Sequence, residues 1–79
     1  MTVEELDAFC VQRGWLLIIG AIGLAVVRRS YTPDMYGKGL VYGFMGGAPQ
    51  TLADKITEQC AIQASHAAVP DVVVGRGRG

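Results

Sequence analysis

The amino-acid sequence predicts an all-α protein. It reads as one long apolar, transmembrane helix, a Gly-rich connector, a second amphipathic helix and a short flexible basic tail. Three observations predict this. Residues 15–27, from Trp15 to Val27, carry no charge and are closed by Arg28-Arg29. Thr2-Val3-Glu4-Glu5 and Thr51-Leu52-Ala53-Asp54 each place a hydroxyl three residues before a carboxylate. That spacing starts helices by satisfying their free amide groups. Finally, the apolar residues, 51% of the chain, are gathered in blocks rather than spread in even stripes, which suits burial in lipid or among partner subunits.

The first segment is residues 1–29, an N-terminal helix that includes the apolar span 15–27. Glu4, Glu5 and Asp7 sit where the positive end of a helix dipole favours them. No strong stop signal precedes Arg28, and a helix from Val3 to Arg29 would be roughly 40 Å long at 1.5 Å per residue. The strictly apolar part is shorter than the about twenty residues that cross a bilayer core. Extending it back to Phe9 includes Gln12 and Arg13, whose stem can carry its charge to the headgroups. Trp15, Arg28, Arg29 and Tyr31 are assigned to interfacial positioning, as aromatic and basic residues often are at membrane surfaces. Gly20, Ala21, Gly23 and Ala25 are assigned to a helix-packing interface, because small residues let helix backbones approach closely in lipid. An acidic start and the absence of a small-x-small cleavage site argue that the segment is retained.

Residues 30–50 form a Gly-, Pro- and aromatic-rich connector. Tyr31-Thr32-Pro33-Asp34 is turn chemistry. Tyr36 to Pro49 makes a poor soluble helix, and its texture fits a re-entrant loop, a short apolar helix or a Gly-rich strand packed on a neighbouring subunit. Gly37-Lys38-Gly39 lacks the spacing and the hydroxyl of a phosphate loop. Residues 51–69 are read as an amphipathic helix, with Leu52, Ala53, Ile56, Cys60, Ala61, Ala64 and Ala67 at spacings of three and four. Residues 70–79 are the tail. Asp71 to Val74 has strand character, and Arg76 and Arg78 are candidates for contact with phosphates of nucleic acid or lipid; two arginines alone supply little affinity.

Net charge is zero, with an acidic start and a basic end. The two cysteines are expected to be unpaired and buried. Neither they nor His66 have metal-ligand spacing, and no nucleophile elbow or paired-carboxylate pattern is present. No enzyme activity and no cofactor are expected. The charge layout resembles that of filamentous-phage coat proteins and of conjugative pilins, but the resemblance covers that layout only. The segment from Tyr36 to Pro49 departs from the phage pattern.

The functional expectation is a small non-catalytic structural subunit of a membrane-associated, filamentous or virion assembly. Its partners would be membrane lipid or identical subunits, or other chains of a membrane complex, with nucleic acid weakly supported. If the helix spans, the amino terminus lies outside and the carboxyl terminus in the cytoplasm. A single-pass accessory subunit of a hetero-oligomeric membrane complex and a holin-like membrane-active protein are the alternatives.

Overall fold

Helix α1 (Val3–Arg13) forms as its cap predicts. The Thr2 hydroxyl accepts the Glu5 amide at 3.1 Å, and the Glu5 carboxylate accepts the Thr2 amide at 2.7 Å. The helix then stops early. Gly14 takes a left-handed conformation, φ +80°, and donates its N–H to the Cys10 and Val11 carbonyls, which is how glycine closes a helix end. The structure, a computed structural model, describes residues 1–68.

The apolar run after Gly14 is a β-hairpin, and this overturns the all-α expectation. Strand β1 (Trp15–Gly20) pairs antiparallel with β2 (Gly23–Arg28), from Trp15 opposite Arg28 to Gly20 opposite Gly23. Ala21 and Ile22 make the two-residue turn. The physical reason lies in the side chains: Ile18, Ile19, Val26 and Val27 are β-branched and suit a pleated surface. Among the described residues no helix is long and apolar enough to cross a membrane. The membrane and transmembrane reading of residues 15–27 is therefore withdrawn.

The connector continues the sheet. A short helix α2 (Pro33–Gly37) opens with proline in its first turn, where the missing N–H costs nothing. Strand β3 (Gly43–Met45) then pairs antiparallel with β2, giving the order β1-β2-β3. Of the three readings of this connector, a Gly-rich strand is the one that forms, and its neighbour is the chain's own hairpin. Gly43 is required there. A Cβ at this position would collide with the Val26 carbonyl and lie 2.8 Å from Val27 Cγ1.

Helix α3 (Pro49–Ala68) closes the fold. It starts two residues before the Thr51 expected to cap it: the Leu52 amide bonds to the Ala48 carbonyl at 3.1 Å, and Asp54 accepts from the Gln50 side chain. Helices α1 and α3 together cover one face of the sheet. Leu6 and Cys10 from α1, Trp15 and Val26 from the hairpin, and Leu52, Ala53 and Ile56 from α3 make one buried cluster. Trp15 stacks on Phe44 with 6.2 Å between centroids. Of the apolar stripe read on residues 51–69, Leu52, Ala53, Ile56 and Cys60 pack on this core, while Ala61 and Ala64 are exposed. The tail 70–79 lies outside the described residues, and with it the strand character expected at residues 71–74 and the phosphate-contact candidates Arg76 and Arg78.

Candidate interaction surface

Residues directly opposite each other in an antiparallel sheet share a face, and neighbours along a strand alternate faces. Trp15, Leu17, Val26, Arg28 and Phe44 therefore point toward the helices. The other face carries two rows that cross all three strands: Ile18, Ala25 and Met45 in one, and Leu16, Val27 and Gly43 in the next. No element among the described residues lies over these rows. Leu16 is 51%, Ile18 44% and Met45 79% exposed, and the turn residue Ile22 is 94% exposed.

The face has relief as well as apolarity. Large side chains stand on the outer strands, at Ile18, Leu16 and Met45, while the centre has Ala25 and one edge has Gly43. The result is a hollow of about 340 Å³ bordered by Ile18, Ile22, Ala25 and Met45. A second, of about 320 Å³, is bordered by Ala25, Val27, Tyr42 and Met45. They meet at Ala25 and Met45 and form one shallow trough. No charged side chain lines either hollow.

The covered face ends in a polar cluster around Arg28. Arg28 is 6% exposed. Its Nε donates to the Val41 carbonyl at 2.7 Å, one terminal nitrogen to Gln59 Oε1 at 2.8 Å and the other to Gln63 Oε1 at 3.3 Å. The group lies 4.6 Å from the Trp15 ring centroid. All these oxygens are neutral, and burial lowers the Arg28 pKa from its ordinary value. Gln59 Oε1 also accepts the Val41 amide at 2.9 Å. Arg28 is thus a clamp that ties β2, the strand-like turn before β3 and α3 together.

The expected site residues are redistributed by this fold. Gly20 and Gly23 close the hairpin, Ala21 lies in its turn, and Ala25 sits in the centre of the open face, so the four do not share a helix surface. Trp15, expected at an interface, is a core residue at 1% exposure. Arg28 is buried beside it, and Arg29 is exposed. Tyr31 is half-buried, donating its hydroxyl to the Leu40 carbonyl at 3.0 Å. Cys10 and Cys60 are both free thiols; Cys10 is buried, which raises its pKa, and Cys60 is half-buried. His66 is exposed and its Nε2 lies 2.9 Å from the Lys38 carbonyl oxygen. Among the described residues no group of three His, Cys, Asp or Glu side chains is placed to hold a metal ion.

Leu16, Ile18, Val27, Tyr42 and Met45 were not singled out by sequence reasoning. The density of β-branched residues between 18 and 27 was a signal for Ile18 and Val27 only; none pointed to Leu16, Tyr42 or Met45. Compared with known proteins, the chain matches no family model, no curated protein and no solved structure.

Proposed function

We propose that this chain is a small non-catalytic structural subunit that works by association, and that the open face of its sheet is the surface through which it docks. The observation that carries this reading is the uncharged trough in which Ile18, Ile22, Tyr42 and Met45 are exposed and Ala25 and Val27 half-buried. Soluble monomers rarely expose contiguous apolar patches beyond a few hundred Å², and larger ones usually mark interaction sites. A sheet exposed on one side ordinarily alternates apolar and polar residues. Here the outward positions of all three strands are apolar or glycine, so water is a poor partner for both faces of the sheet.

The assembly role expected from the sequence is retained on this new basis, with sheet packing in place of helix packing. A single-pass anchor and a holin-like protein both need a span at residues 15–27 and are not carried forward. The test is hydroxyl-radical footprinting of the chain in native extract. Tyr36 is 78% exposed on α2, away from the sheet, and serves as the internal standard. If the face is covered in the working protein, the ratio of Met45 to Tyr36 oxidation falls at least about fivefold from its value in the urea-unfolded chain. An unchanged ratio would contradict the reading.

A further inference from the structure

We draw no further inference here: the strongest candidate, the open apolar face of the three-stranded sheet around Ala25 and Met45, belongs to the surface already described, and nothing in the structure shows what covers it.

Discussion

The two faces of the three-stranded sheet are nearly equal in apolarity and opposite in circumstance. On one, Trp15, Leu17, Val26 and Phe44 meet two helices, and Arg28 closes the layer through three neutral oxygens. On the other, Leu16, Ile18, Ala25, Val27 and Met45 meet none of the described residues. The difference teaches that composition sets the affinity of a surface for burial but not the partner. Alternation along a strand assigns each side chain to a face; the helices decide which face is satisfied within the chain.

Breaking the covered face should have the largest effect. Trp15→Ala removes the largest fully buried side chain, which stacks on Phe44 and supports Arg28. It is expected to cost about 3–5 kcal/mol, enough to abolish the cooperative urea transition of a domain this small. Gln59→Ala comes next. It leaves a buried guanidinium and the Val41 amide without their shared acceptor, at about 2–4 kcal/mol. A lowered urea midpoint with an unchanged slope would check this. Loss below about 0.5 kcal/mol would show that water replaces the glutamine oxygen.

Gly43→Ala probes the join between β2 and β3. The added methyl meets the Val26 backbone, which cannot move aside without breaking the pairing. A cost of about 1–3 kcal/mol is expected, with amide exchange accelerated first at Phe44 and Met45. The cap of α1 is a smaller term. Thr2→Ala should lose about 1 kcal/mol. The Thr2 amide holds the Glu5 carboxyl below its ordinary pKa, so this hydrogen bond's contribution is present above that ordinary value and fades as pH falls through the lowered one. Alanine at position 2 keeps this amide, so wild type and Thr2→Ala should lose the contribution alike in acid, and Glu5→Gln should remove it. Smallest of all is Met45→Lys on the open face, which should change the stability of the single chain by less than about 0.5 kcal/mol.

The start of α1 and the first turns of α3 were legible because their signals are local. Thr2 and Glu5 satisfy each other at α1 as their spacing requires, and Leu52, Ala53 and Ile56 share the buried stripe of α3. The hairpin was not legible because both its faces are apolar. The alternation that marks a half-buried strand is absent from Trp15 to Val27, and a continuous apolar run reads equally as buried helix. Its turn, Ala21-Ile22, lacks the Asn-Gly or Asp-Gly chemistry that announces a two-residue hairpin. Gly20 and Gly23 accordingly passed for small residues on a membrane helix, when they bracket that turn. Arg28 reads from sequence as an interfacial residue because a charge after an apolar run ordinarily meets water. Its burial depends on Val41, Gln59 and Gln63, which are distant in sequence. The open face was legible only as hydrophobicity. Its exposure depends on which face α1 and α3 choose, and no local pattern encodes that choice.

Two neighbouring substitutions test the distinction between the faces most directly. Val26 and Ala25 are adjacent in β2, equally central in the apolar run, and assigned to opposite sides of the sheet. Urea unfolding of Val26→Lys and Ala25→Lys, compared with each other at one low protein concentration, should give no cooperative transition for the first and a cooperative one for the second. Equal loss in the two variants, or greater loss at Ala25, would contradict the hairpin and the open face together.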